Sequence, residues 1–404
     1  MQEDIYGNLI ASLAMVNDKR IVLLVMDGLG DAPAPGGQTA LQLAKTPNLD
    51  ALAGRNACGL LVPVATGVTP GSGPGHLGLF GYDPLVYQVG RGVLSALGIE
   101  FPLTKQDVAA RLNFCTIDQA GNITDRRAGR IPDEENRRVL AKVRAKLKKP
   151  AGVEVFFETE AEHRAVLVLR GAGLDDNIGE TDPQKTGVPP LAADRAPHSG
   201  KTAAIVANII AQVKAILADE PKANMILARG FAKAPAWPSL AQRWKLDPAA
   251  VAGYPMYRGV ATLLGMPVVA RPTTAADVCA EAAKASRAHT FVYAHFKYTD
   301  KTGEDGDQPG KIQRIEEMDA ALPALLAGKP DVLIVTGDHS TPPALKSHSW
   351  HPVPVLMAAP YLRGGQTPRF DEVHCRGGEI GTIPSKEILP LAMAHAGKLE
   401  KFGA

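Results

Sequence analysis

The chain has almost no net charge: 44 lysines and arginines against 42 acids leave +2 over 404 residues. That gives no electrostatic case for nucleic acid or an anionic membrane surface as partner. Cysteine is scarce as well. Cys58, Cys115, Cys279 and Cys375 are widely scattered and form no CxxC pair, so they read as reduced thiols rather than a disulfide frame or a zinc site. No apolar run is long enough to span a bilayer. The best candidate, residues 203–217, carries Asn208, Gln212 and Lys214 and suits an amphipathic helix. Glu3 and Asp4 stand early, with no long apolar core behind them, which is not the pattern of a secretory signal. Internal repeats and low-complexity tracts are absent too. These absences leave a soluble, cytoplasmic enzyme as the expectation. Its apolar content of 45% and charged content of 21% are ordinary, and its length allows two domains, each with a sizeable core.

What the sequence does have is a set of metal-ligand side chains just past three strand-like runs. Residues 21–26 (IVLLVM) run into Asp27. Residues 291–296 (FVYAHF) lead through Lys297 to Asp300 and Glu304, and residues 332–336 (VLIVT) run through Gly337 into Asp338 and His339, with His348 soon after. Continuous apolar runs of this length, rich in β-branched residues, predict buried parallel strands. Ligands of such sheets bind at the carboxyl ends of the strands. Three aspartates, a glutamate and two histidines gathered there suffice for two divalent cations. Each piece has a blander reading: Asp338 as a turn cap, His348 in a solvated loop, and residues 300–307 as a hydrated acidic turn without EF-hand spacing. Convergence of the pieces favours the metal reading, and with it an acidic cation loop over residues 300–307.

The Gly/Pro-rich loop 66–74 ends in Gly71-Ser72-Gly73-Pro74-Gly75-His76, with a helix expected from His76. Glycines let the backbone approach a ligand, and Ser72 stands where a helix N-terminus presents N–H groups to an anion. A serine hydroxyl beside metal ions loses its proton more readily and becomes a nucleophile. From about residue 104 the texture changes. Strands are expected near 111–117 and 165–169, separated by a charged helix at 133–149. A polar loop follows over 171–200, then a helix over 201–218. After Pro221 the α/β pattern returns, with strands near 223–228 and 267–270 and a helix near 256–264. Ligands at both ends of the chain and a different middle predict a catalytic domain of residues 1–104 and 222–404 interrupted by an inserted domain of residues 105–221. The middle block concentrates cations. Arg126, Arg127 and Arg130 share one turn-rich segment, which suits a small polyanionic substrate through bidentate contacts or is simply a solvated surface. His163, Arg164 and Arg91 are weaker candidates of the same kind.

The motifs VMDGLGD, GYDP, ITDRRAGR, HRAVLVL, HFK, TGDHSTP and the closing KFGA together resemble the archaeal-type cofactor-independent phosphoglycerate mutases of the alkaline phosphatase superfamily. The resemblance covers nearly the whole chain. It implies an alkaline-phosphatase-like α/β core, with a mostly parallel sheet flanked by helices, and a smaller inserted α/β domain. It also implies transfer of the phosphoryl group of 3-phosphoglycerate to Ser72 and back to the neighbouring hydroxyl. Asp27, Ser72, Asp338 and His339 would hold one metal, and Asp300, residue 304 and His348 the other. Arg126, Arg127 and Arg130 would bind substrate from an inserted domain that closes to keep water out. Two positions depart from the family pattern: Glu304 stands where histidine is usual, and Gly73 where an acid is usual. A carboxylate at 304 hardens that site toward Mn²⁺ or Mg²⁺, with Zn²⁺ or Co²⁺ as alternatives. The rival readings are a phosphomonoesterase, a phosphotransferase akin to the homoserine kinase role suggested for relatives, and a non-catalytic phosphometabolite-binding protein.

Overall fold

The protein is represented by a computed structural model that describes residues 3–195, 200–364 and 367–403. Residues 196–199 of the polar loop and Ala404 of the closing motif lie outside the described residues. Among the described residues thirteen strands are present. In chain order they are β1 (Ile21–Met26), β2 (Ala57–Val62), β3 (Val108–Ile117), β4 (Ile123–Asp125), β5 (Glu154–Ala161), β6 (Arg164–Arg170) and β7 (Met225–Ala232). These are followed by β8 (Pro248–Ala252), β9 (Val268–Ala270), β10 (Phe291–Phe296), β11 (Val332–Thr336), β12 (Val353–Ala358) and β13 (Gly381–Pro384). Among the described residues no helix is long and apolar enough to cross a membrane.

The chain forms two compact units, Met1–Gln88 with Pro238–Ala404, and Val89–Trp237. The first holds an eight-stranded sheet in the order β13-β2-β12-β11-β1-β10-β8-β9. All its pairings are parallel except those made by β12, which runs against β11 and β2. Every residue of β1, β10 and β11 is buried, as expected for central strands covered by helices on both faces. The helices 275–285 and 308–326 pack Val278, Cys279, Ile315, Met318 and Leu322 onto one face.

The second unit holds a five-stranded antiparallel sheet, β4-β3-β6-β5 with β7 also on β3. Helices Asp133–Lys146 and Lys201–Ile216 contribute Val139, Leu140, Val143, Val206, Ile209 and Val213 to its core. The boundaries fall at 88/89 and 237/238 rather than at 104/105 and 221/222. Close packing explains the earlier start. Helix Arg91–Gly98 lies so near β3 that a Cβ on Gly92 would come within 2.2 Å of the Ala109 carbonyl oxygen. β7 extends the later end because it pairs with β3 out to Ala232.

Candidate functional site

Three adjacent strands, β11-β1-β10, deliver the acids. Their parallel register sets Met26 beside Phe296 and Val25 beside Thr336, so the residues that follow emerge together at the carboxyl edge. Asp27 comes directly after β1, and Asp338 and His339 come just after β11. Asp300 and Glu304 do not lie in an acidic loop: residues 298–305 form a helix, Tyr298–Asp305, closed by Gly306 at φ 76°. The expected loop is therefore corrected to a helix, and its i,i+4 spacing puts Asp300 and Glu304 on one face. The serine segment also differs from expectation. Its helix begins at Ser72, not His76, and runs Ser72–Leu79 with Gly71 as N-cap. Gly75 permits this, since a Cβ there would sit 2.4 Å from the Asp338 carbonyl oxygen.

Ligand atoms of Asp27, Asp338 and His339 lie within 4.8 Å of one another. His339 Nε2 is 3.4 Å from Asp27 Oδ1, 3.2 Å from Asp338 Oδ2 and 3.3 Å from Ser72 Oγ. Asp338 Oδ1 accepts the Gly28 N–H at 3.1 Å. The tautomer of His339 follows from its other nitrogen. The Thr341 hydroxyl donates to Asp300 Oδ1 at 2.7 Å, so at 3.0 Å its oxygen accepts from His339 Nδ1–H. That leaves the Nε2 lone pair facing Asp27, Asp338 and Ser72. Burial holds the His339 pKa below the ordinary histidine value, which keeps the ring neutral and able to ligate.

A second group comprises Asp300, His348 and again His339, which stacks on His348 at 3.6 Å. His348 Nδ1 donates to the Pro70 carbonyl at 2.9 Å, so Nε2 is the atom aimed at Asp300 Oδ1, 3.5 Å away. Glu304 Oε1 stands 4.0 Å from that same nitrogen, with its side chain 47% exposed. Burial opposes a charge on His348, but the Asp300 carboxylate outweighs it and lifts the pKa to about 9. This corner of the site thus favours positive charge.

The donor set fits divalent cations. Asp27 Oδ1 and Asp338 Oδ2 are buried without a well-formed hydrogen bond, which leaves carboxylate oxygens for a cation beside the Lys297 and His295 contacts of Asp27 Oδ2. Burial pushes the Asp27 carboxyl up, yet Lys297, His295 and His339 together hold it well below the usual carboxylate range, so it is available as an anion. If Glu304 completes the second set, Glu304→His is expected to shift preference from Mn²⁺ toward Zn²⁺ or Co²⁺, and Glu304→Ala to weaken binding there. Metal titrations of the three proteins check this; identical affinities and preferences would remove Glu304 from the ligand set.

Beneath the acids lies a layer that the sequence did not single out. His76 Nδ1 is 2.8 Å from the Ser72 carbonyl and 3.1 Å from Asp338 Oδ2. His295 Nε2 is 3.3 Å from Asp27 Oδ2, and its ring stacks on Tyr257 at 3.7 Å. Lys297 contacts both Asp27 and Asp300. Lys311, fully buried, donates to the carbonyls of Gly28 and Thr341 at 2.9 Å and of Gly30 at 3.0 Å. Such outer contacts fix how ligands point. Their only sequence signal is a polar residue within or beside an apolar run.

The second unit gathers the predicted cations differently from one another. Arg126 is committed to buried Asp182 through bonds of 3.0 and 2.7 Å, and Arg229 approaches the same carboxylate at 3.4 Å. Arg127 and Arg130 lie in the exposed turn after β4, where Asp125 accepts the Arg127 and Gly129 N–H groups. His163 is buried. Burial and then Arg164, Arg111, Arg127 and Arg130 push its pKa down to about 3, so four arginines create positive potential around one neutral ring. Arg111, on β3, was not anticipated. Arg91 begins the helix Arg91–Gly98 and is exposed.

Residues 53–223 match the family described as 2,3-bisphosphoglycerate-independent phosphoglycerate mutase. A Thermus thermophilus protein named "Probable 2,3-bisphosphoglycerate-independent phosphoglycerate mutase" is 50% identical over 397 residues, covering 97% of this chain and 98% of that protein. One of the same name from Aquifex aeolicus is 46% identical, covering 98% of this chain and 100% of its own length. Among solved structures, a Pyrococcus horikoshii protein superposes with TM-score 0.82 at 29% identity, over 96% of this chain and 100% of its own. The cofactor-independent phosphoglycerate mutase of Thermoplasma acidophilum gives TM-score 0.66 at 30% identity, over 94% and 100%. With half its residues shared across essentially full length, and a serine set among candidate metal ligands, the chain belongs to the 2,3-bisphosphoglycerate-independent phosphoglycerate mutase family.

Proposed function

We propose that the protein interconverts 3-phosphoglycerate and 2-phosphoglycerate through a phosphoserine at Ser72, without 2,3-bisphosphoglycerate, in glycolysis and gluconeogenesis in the cytoplasm. One observation carries the reading: the Ser72 hydroxyl lies 3.3 Å from the His339 nitrogen that also faces the Asp27 and Asp338 carboxylates. A nucleophile and a candidate cation site thus coincide. The names of the relatives support the same chemistry.

Asp27, Asp338, His339 and Ser72 would hold one divalent ion, and Asp300, His348 and Glu304 the other. Bound there, Mn²⁺ or Mg²⁺ supplies Lewis-acid stabilisation of phosphoryl oxygens and eases deprotonation of the serine. Ser72 Oγ attacks phosphorus in line; the Oγ–P bond forms as the bond from phosphorus to the 3-oxygen breaks, and that oxygen takes up a proton. Return transfer reverses the roles: the 2-hydroxyl attacks, loses its proton, and Ser72 leaves. Mutase rather than phosphatase chemistry requires the glycerate to be retained while water is excluded. Within the second unit, guanidinium forks of the kind that match carboxylate geometry are gathered around His163. Arg111, Arg127, Arg130 and Arg164 are that group, and Arg126 is bonded to Asp182.

Exhaustive chelation is expected to abolish turnover, and Mn²⁺ or Mg²⁺ to restore it, with no requirement for added bisphosphoglycerate. A rate that survives chelation, or one that depends on bisphosphoglycerate, would refute the proposed chemistry.

A further inference from the structure

Lys297 contacts an acid of each candidate ion set, Asp27 and Asp300. It directly precedes the helix Tyr298–Asp305 as its N-cap. Its Nζ lies 3.1 Å from Asp27 Oδ2, hydrogen-bonds the Asp300 carboxylate, and donates to the Tyr257 hydroxyl at 3.1 Å. The geometry around the two acids is directional. Asp27 turns Oδ1 toward His339 and Oδ2 toward Lys297; Asp300 turns Oδ1 toward Thr341 and His348 and Oδ2 toward Lys297. One ammonium therefore backs a carboxylate from each set, on the side away from the histidine ligands.

Charge counting gives this contact a consequence, and the argument rests on the dimetal reading above. Asp27, Asp338, Asp300 and Glu304 carry four negative charges, which two divalent ions cancel. Glu304 is what brings the sum to zero, because a histidine there would leave it at plus one. A phosphoryl group carries negative charge and needs a net positive site to be held and to react. The Lys297 ammonium stands between the two carboxylates, 3.1 Å from Asp27 Oδ2 and hydrogen-bonded to Asp300.

We propose that Lys297 is a positioning residue whose fixed positive charge offsets Glu304, ties the Asp27 and Asp300 sides of the centre together, and keeps the ion-loaded site attractive to a phosphoryl oxyanion. It acts through the two carboxylates and the field they share.

The test uses the full-length protein in saturating Mn²⁺, with inorganic phosphate as the probe. Calorimetry reads the number of ions bound and the phosphate affinity of wild type, Lys297→Arg, Lys297→Met, Glu304→His, and Lys297→Met combined with Glu304→His. Wild type should bind two ions. Lys297→Met should still bind two but hold phosphate about 10-fold more weakly, equivalent to about 1.4 kcal/mol. Lys297→Arg should stay close to wild type. Adding Glu304→His to Lys297→Met should recover most of the loss, which a purely structural role for the lysine would not allow. Glu304→His alone should tighten phosphate binding, a result that does not depend on the lysine variants folding. Unchanged phosphate affinity in Lys297→Met, or no effect of Glu304→His in either background while two ions remain bound, would overturn the proposal. Fewer than two ions in wild type would instead overturn the dimetal reading, and this proposal with it.

Discussion

Ser72→Ala is expected to lower phosphoglycerate mutase turnover by at least ~10⁴-fold, about 5.5 kcal/mol of barrier, because it removes the proposed phosphoryl acceptor. The loss should come without unfolding. Ser72 is the first residue of its helix, no side-chain cap bond depends on it, and alanine is a good helix former. Its hydroxyl touches His339 Nε2, so deletion removes the proposed nucleophile and one potential ion ligand while His339 keeps its bond to Thr341. Circular dichroism and thermal melting should match wild type. A variant with near-normal turnover would exclude Ser72 as the phosphoryl acceptor.

Lys311→Met is expected to cause the largest loss of stability, about 3 kcal/mol, from removing three charge-assisted bonds and leaving three carbonyls unsatisfied. The ammonium costs free energy to bury: its pKa is lowered by burial, against the pull of Asp31 and Glu372. Relief of that cost on substitution limits the net loss. What makes the residue matter is where its acceptors lie. Gly28 and Gly30 follow Asp27, and Thr341 follows His339, so one side chain clamps the two loops that carry the first candidate ligand set. Denaturant unfolding should show a lower midpoint, and weaker metal binding should accompany it. A midpoint within experimental error of wild type would show that the three carbonyls find other partners.

The core strands were legible because buried parallel strands are written as unbroken apolar runs, and β1, β10 and β11 are such runs. Each ends in a residue that apolar surroundings would not tolerate without a purpose, which is why Asp27, Asp338 and His339 could be named. Strands without that signature were missed. β8 is alanine-rich, β12 carries Pro354, and β5 mixes Phe156 and Phe157 with Glu154 and Glu158. The run 300–307 read as a cation loop because Gly303 and Gly306 sit among acids. In fact Gly303 lies inside a helix, where it allows close approach to the Thr341 carbonyl oxygen, 2.3 Å from a would-be Cβ. Only Gly306 ends the helix. The supporting layer of His76, His295, Tyr257 and Lys297 was invisible for a different reason. His295 and Lys297 share the end of β10, but His76 and Tyr257 come from other helices, and only tertiary packing brings the four under the acids. For Arg126, a one-dimensional cluster concealed that one arginine of three turns inward to Asp182.

The central claim is that a phosphoryl group leaves the 3-oxygen of a glycerate and returns to the 2-oxygen of the same molecule class without escaping to water. The most direct measurement supplies 3-phosphoglycerate to the Mn²⁺-loaded protein, follows 2-phosphoglycerate through coupled enolase, and records free phosphate in parallel. Steady formation of 2-phosphoglycerate with no matching release of phosphate is the predicted result. Stoichiometric phosphate release without 2-phosphoglycerate, or no reaction of either kind, would contradict it.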